Sequence, residues 1–346
     1  MSQSKKPKSK KRDPRSIQEH FNQWNRGDEP KIRKGAQKKK QPKKNMALPI
    51  PLSETNATVI EVHPKLCRVL LDEIHEVRLC SYRRSQVFQA GEIRERSPVT
   101  VGDRVRVEVT SPQDGMVVGL AERKNQLSRK APGREQIVHT LAANLDRVVV
   151  VSSIKDPEFS PGLVDRFLVA CTQQNIPVTI VVNKIDLVES QKDTLPVRYS
   201  ELGYEVLFLS AKKKTDLGPL IEKIKNQRTL FCGHSGVGKT KLLSAIVPDY
   251  SGRVGSVNPV TGKGKHTTTG ATLLHMSQGE WIDTPGIRAF SLTHIQPGDL
   301  HLYFPEFKDD DFDNEGQWIN QKQHEIAKNQ WRYSSYLRVL ESLLEE

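Results

Sequence analysis

At 346 residues, with 36% hydrophobic and 27% charged side chains, the chain has material for two or three domains of roughly 100–200 residues each. No stretch approaches the roughly 18 apolar residues of a membrane span, and residues 1–50 contain no apolar core of a secretory signal. Four scattered cysteines, Cys67, Cys80, Cys171 and Cys232, with no CxxC among them, exclude a disulfide scaffold or a local cysteine zinc site and point to a reducing cytoplasm.

The net charge of +12 belongs to one segment. Residues 1–50 carry 16 Lys and Arg against 4 acids, whereas the rest of the chain holds 37 of each sign. Too poor in apolar residues to fold alone, residues 1–52 are expected to form a disordered basic arm. Such an arm is an electrostatic anchor for a polyanion, RNA foremost, or else a solubilising or targeting tail.

Past the Pro-rich hinge Leu48–Leu52, five short β-rich runs follow: Ala57–His63, Leu66–Leu71, Glu76–Ser81, Arg104–Val109 and Gly115–Ala121. Turn chemistry such as His63-Pro64 and Ser111–Gly115 separates them. Five strands in so short a span suggest an OB-type β-barrel over residues 53–126. Arg78, Arg83, Arg84, Arg94 and Arg96 form either a basic nucleic-acid face or ordinary solvated surface.

Residues 135–290 read as an α/β domain. Asp146–Ser153 and Pro177–Val182 are continuous apolar runs typical of buried parallel strands, and Gly162–Gln174 between them is amphipathic. A short strand, Arg228–Cys232, leads into Gly233-His234-Ser235-Gly236-Val237-Gly238-Lys239-Thr240, with helical sequence from Lys241 to Ile246. This is GxxxxGK[ST] in its strand–loop–helix setting, where backbone N–H groups and a helix N-terminus cradle phosphates. Lys239 can reach the β- and γ-phosphates, and the Thr240 hydroxyl can ligate Mg²⁺. Further on, Asp283-Thr284-Pro285-Gly286 follows a strand, so that Asp283 can hold Mg²⁺ through water and Gly286 can sense a γ-phosphate.

Asn183-Lys184-Ile185-Asp186 at the end of the second apolar run selects the base. A carboxylate at Asp186 accepts from guanine N1–H and its exocyclic amine, an edge that adenine lacks. Asn183 supports the loop and reads the base, and the Lys184 stem packs along the ring. Ser210-Ala211-Lys212, after the strand Glu205–Leu209, would close the same pocket through backbone N–H. In ordinary small GTPases the phosphate motifs come first. Here the base motifs precede the phosphate loop, which describes a circular permutation, feasible where domain termini lie close together.

These motifs and their order resemble the ribosome small subunit-dependent GTPase A (RsgA) family of circularly permuted GTPases. The resemblance spans about residues 55–346, and its most specific element besides motif order is Lys265-His266-Thr267-Thr268-Thr269. Closing similarity comes from Phe304–Phe307 and Arg332–Leu343. It implies an OB-type barrel, a GTPase domain and a small C-terminal domain, here residues 291–346, in series. The implied activity is GTP hydrolysis with Mg²⁺, stimulated by the small ribosomal subunit late in its assembly, with the subunit and its rRNA as partners. A monomer in the cytoplasm, away from membranes, is expected. One departure is large: the family's C-terminal zinc site of three Cys and one His is not matched, since no Cys follows Cys232, although His324 remains. Zinc is therefore not expected. The acids Asp309, Asp311 and Asp313 in the shortened loop have the glycine of a calcium loop out of place and its closing Glu missing, and read as solvated. The last helix, about Gln321–Glu345, would pack through Ile326, Trp331, Tyr336, Leu337, Leu340 and Leu344.

Ras-like enzymes orient the attacking water with a Gln just after DxxG. Ile287 stands there and cannot hydrogen-bond to water, so intrinsic hydrolysis should be slow. His266, on a loop loosened by Gly262 and Gly264, is the internal catalytic candidate or else an RNA-contacting surface residue; Thr268 is the expected switch threonine and a Mg²⁺ ligand. The alternatives are an RNA-binding module that uses GTP as a conformational latch with little turnover, and an ATPase or nucleoside kinase, which Asn183 and Asp186 disfavour.

Overall fold

The computed structural model describes residues 48–82, 94–95, 97–131, 134–191, 194–247, 250, 271–284, 290–307, 312–317 and 323–345. The arm up to residue 47, Arg83, Arg84 and Arg96, the 251–270 segment with His266 and Thr268, residues 285–289 with Gly286 and Ile287, and Asp309 and Asp311 lie outside these residues.

Strands β1 (Ala57–His63), β2 (Leu66–Leu71), β3 (Val77–Tyr82), the short β4 (Arg94–Glu95), β5 (Arg104–Val109) and β6 (Asp114–Leu120) come first. All but β4 close into a barrel, with neighbours β1-β2-β3-β6-β5 and β5 returning to β1 at Ala57↔Val105. Only the β3–β6 pairing in this ring is parallel. Every second residue of β2 points inward, placing Cys67, Val69 and Leu71 in a core with Ala57, Val59, Val105, Val107 and Val117. On the barrel surface, the Arg78 guanidinium is ion-paired with Glu76.

A hairpin unforeseen in the sequence follows: β7 (Gln126–Ala131) and β8 (Arg134–Ala143) pair antiparallel, and β4 adds to β8. Its charged tip, Arg129 to Gln136, hides the strand signal. The inner ends carry Leu127, Leu141 and Ala142 into the main core.

The α/β domain contains β9 (Arg147–Ser153), α1 (Pro161–Gln173), β10 (Val178–Asn183), α2 (Leu195–Glu201), β11 (Val206–Phe208), α3 (Gly218–Ile224), β12 (Gln227–Cys232), α4 (Lys239–Ile246), β13 (Thr272–Met276) and β14 (Gly279–Asp283). Five parallel strands run in the order β11-β10-β9-β12-β14, and β13 lies antiparallel at the end. Helices on both faces explain why β9 and β10 are buried along nearly their whole length. Alternate residues feed two cores: Val148, Val150 and Val182 face α1, while Val149, Val151 and Val181 face the Leu242, Leu243 and Ile246 side. β1 also pairs β13 at Glu61↔Thr272, so barrel and α/β sheet are hydrogen-bonded together.

Helix α5 (Gln323–Leu344) packs on α1 and on a 3-10 turn, Pro297–Tyr303. Tyr336 and Leu340 are buried in the main core, whereas Leu344, expected to pack, is 54% exposed at the helix end. Phe290 stacks on Phe167 of α1 with ring centroids 4.3 Å apart. The fully buried Arg332 of α5 pairs with the equally buried Asp165 of α1 and with Glu306 at 2.8 Å. Its guanidinium also lies 4.5 Å from the Phe304 ring centroid and 5.4 Å from that of Tyr199. This network spans 167 positions of sequence and fastens the C-terminal helix to the α/β domain. Among the described residues no helix is long and apolar enough to cross a membrane.

Candidate nucleotide site

Parallel strands deliver their C-terminal ends to one edge of the sheet, where ligands of open α/β sheets bind at the point where strand order reverses. That point falls between β9 and β12. β12 ends at Cys232, and residues 233–238 form the loop that opens α4. Two glycines shape it. At Gly233 (φ 143) an added Cβ would lie 2.0 Å from the Val151 carbonyl oxygen, and at Gly238 (φ 95) 2.4 Å from Asn183 Nδ2. Both backbone conformations favour glycine and neither leaves space for a side chain.

Lys239 starts α4 and folds back over the loop. Its ammonium donates to the carbonyls of Gly233 at 2.7 Å and His234 at 3.0 Å. Burial lowers the Lys239 pKa, opposed by Cys232 and by the Asp283 carboxylate, which favour the charged form. His234 Nε2 is 3.3 Å from Ser160 Oγ, at the start of α1, and burial, then Lys239, pushes the imidazole below its usual pKa. Val237 is buried in the core under the loop, while Ser235, Gly236, Thr240 and Lys241 are exposed.

Asn183, at the end of β10, joins three loops. Its Nδ2 donates to the Val237 carbonyl at 2.9 Å, and its Oδ1 accepts from the Ala211 N–H at 3.0 Å. Asn183 is 2% exposed, so its amide chiefly holds loops in place. Of the backbone N–H groups of Ser210-Ala211-Lys212 expected to close the base pocket, that of Ala211 donates to Asn183 Oδ1. Lys184 takes a left-handed conformation (φ 65), and its ammonium donates to the Asp156 carbonyl. Ile185 begins the single turn Ile185–Leu187 that carries Asp186 outward.

Asp186 Oδ1 accepts from the Ser210 hydroxyl at 2.5 Å, and Ser210 Oγ accepts in turn from the Lys213 N–H at 3.1 Å. The Ser210 bond holds the Asp186 carboxyl below its usual pKa, so the group is an ionised acceptor at neutral pH. Lys212 is exposed beside it.

Asp283 closes β14, next to β12 in the sheet. Its Oδ2 accepts from the Tyr250 hydroxyl at 2.7 Å; burial raises its pKa, opposed by that hydroxyl and by Lys239. Thr284 Oγ1 donates to the Phe231 carbonyl at 3.1 Å, pinning the strand end. Sequence reasoning missed Tyr250, which belongs to no motif, and Ser160, whose position before Pro161 is a helix-start signal.

A phosphate-loop motif and an Asp at adjacent strand ends, with the base-motif loops encoded upstream, mark a circularly permuted P-loop GTPase. YloQ, a circularly permuted GTPase of known crystal structure, superposes with TM-score 0.59 at 26% identity, covering 84% of this chain and 95% of that one. A sequence model described as RsgA GTPase matches residues 120–293, and the chain belongs to that family. Bacteroides fragilis has a relative named small ribosomal subunit biogenesis GTPase RsgA that is 32% identical over 271 residues, covering 73% of this chain and 87% of its own. YjeQ from Thermotoga maritima superposes with TM-score 0.63 at 29% identity, covering 84% of this chain and 99% of its own.

Proposed function

We propose that this GTPase binds the small ribosomal subunit and its rRNA and hydrolyses GTP to GDP during late subunit maturation in the cytoplasm. The observation that carries this is Asn183, whose one amide ties the phosphate loop at Val237 to the base loop at Ala211. Motifs 50 residues apart in a permuted order thus serve a single ligand. The names of the relatives supply the subunit as partner. Residues 1–52 act as the basic arm, 53–126 as the barrel, 135–290 as the GTPase domain and 291–346 as a C-terminal domain held without zinc.

In this reading the phosphates lie against the amides of residues 233–240 at the α4 N-terminus. Lys239 exchanges the Gly233 and His234 carbonyls for β- and γ-phosphate oxygens, a swap of acceptors that preserves its charge-assisted bonds. Asp186, pre-set by Ser210, accepts from the guanine edge. The Thr240 hydroxyl and the Asp283 carboxylate are hard oxygen donors that fit Mg²⁺, with Thr268 the expected third. When bound, the ion neutralises charge developing on the phosphates. Ile287 offers the attacking water no hydrogen bond, so His266 or the subunit completes the catalytic set.

Phosphate release tests this. Full-length protein is expected to turn GTP over slowly alone and roughly 10²–10⁵-fold faster with small subunits, by the measure of GTPases awaiting a partner. ATP should remain intact, and Lys239→Ala should abolish turnover with subunits present. Fast turnover indifferent to subunits, or equal use of ATP, contradicts the reading.

A further inference from the structure

The phenol of Tyr250 has no part in the family motifs, yet its hydroxyl donates to Asp283 Oδ2 at 2.7 Å. The residue is held from three sides. Its N–H donates to the Val247 carbonyl at 3.0 Å, its own carbonyl accepts from Ser244 Oγ at 2.9 Å, and its ring belongs to the buried cluster with Leu243, Ile246 and Trp281. The residue as a whole is only 6% exposed, and its hydroxyl meets the carboxylate from a backbone fixed to the end of α4. One element thus carries Lys239 and Thr240 at its start and, just past its end, the group that grips Asp283.

A carboxylate at a strand end can turn about its Cβ–Cγ bond, and a ligand reached through water recognises only some of those orientations. A charge-assisted bond from a rigid phenol removes that freedom before the ligand arrives.

We propose that Tyr250 is a positioning residue for Asp283: its hydroxyl fixes the carboxylate orientation that receives Mg²⁺ and thereby sets the magnesium concentration at which nucleotide is retained. The inference rests on the GTPase reading, in which Asp283 faces the ion. The shape of the contact favours orientation over competition, because the phenol engages one carboxylate oxygen and leaves lone pairs on both.

The test uses the full chain stripped with EDTA and titrated with magnesium chloride in the presence of a fluorescent GDP analogue. Tyr250→Phe, which removes one oxygen from a buried ring, is expected to raise the magnesium midpoint about tenfold while changing affinity in EDTA by less than about twofold. Asp283→Asn should raise the midpoint too, and adding Tyr250→Phe to it should shift the midpoint no further. An unchanged or lowered midpoint in Tyr250→Phe overturns the assignment and leaves the GTPase reading standing. So does an equal loss of affinity with and without magnesium, which marks a merely structural tyrosine. Analogue binding by the wild type that ignores magnesium also overturns the assignment, whereas no analogue binding with or without magnesium counts against the GTPase reading itself.

Discussion

Asp186→Asn is expected to weaken GTP binding by roughly 10²-fold or more and to transfer preference to xanthosine triphosphate. Two hydrogen bonds from guanine to an ionised acceptor are lost, each of the stronger, charge-assisted kind. The substituted amide presents a donor where guanine also has one, so a repulsive contact replaces an attractive one. Xanthine carries an oxygen at the same ring position and restores the match. Ser210 makes the effect specific: its hydroxyl, 2.5 Å from Oδ1, holds the side chain in place in either variant. Competition between the two nucleotides for a fluorescent analogue reads the result, and unchanged GTP affinity removes Asp186 from the base site.

Arg332→Met is expected to destabilise the chain by about 3–5 kcal/mol, because Asp165 would remain charged and buried without its partner. Both side chains are fully buried, and Arg332 also holds Glu306 and the Tyr204 hydroxyl, each at 2.8 Å. Burial alone would lower the Arg332 pKa, but Asp165, Tyr204 and Glu306 raise it instead, so the guanidinium stays charged across the working range. A second change, Asp165→Leu, should recover only part of the loss, since it removes the stranded Asp165 charge but leaves Glu306 and the Tyr199 hydroxyl buried without their partners. On the proposed zinc-free reading, EDTA should leave the melting temperature unchanged, because the Arg332 network docks α5. A variant within about 1 kcal/mol of wild type, or a melt that falls with EDTA, would show that something other than Arg332 fastens the C-terminal domain.

Local chemistry made much of this molecule legible. The apolar runs of β9 and β10 read as buried parallel strands and are, and the 233–240 loop announces itself through glycines that the geometry indeed requires at Gly233 and Gly238. What stayed hidden depends on contacts between distant residues. Arg332 lies in a stretch that resembles the family, yet its partner is 167 positions away and no local pattern announces it. Tyr250 sits between motifs and acquires meaning only when β14 brings Asp283 to it. The β7–β8 hairpin escaped because the charged run from Arg129 to Gln136 interrupts its apolar pattern, although Leu127, Val138 and Leu141 are buried. Asn183 was legible as a motif residue, but which of its bonds are internal depends on loops from two other strands.

Upstream base loops and a downstream phosphate loop are proposed to build one guanine-nucleotide site. A crystal structure of the full chain with GDP tests it most directly. The account predicts the guanine edge on the Asp186 carboxylate, the β-phosphate against the amides of residues 233–240, and the Lys239 ammonium moved from the Gly233 carbonyl to the phosphate. A base lying away from Asp186, or phosphates outside the 233–240 loop, would contradict it.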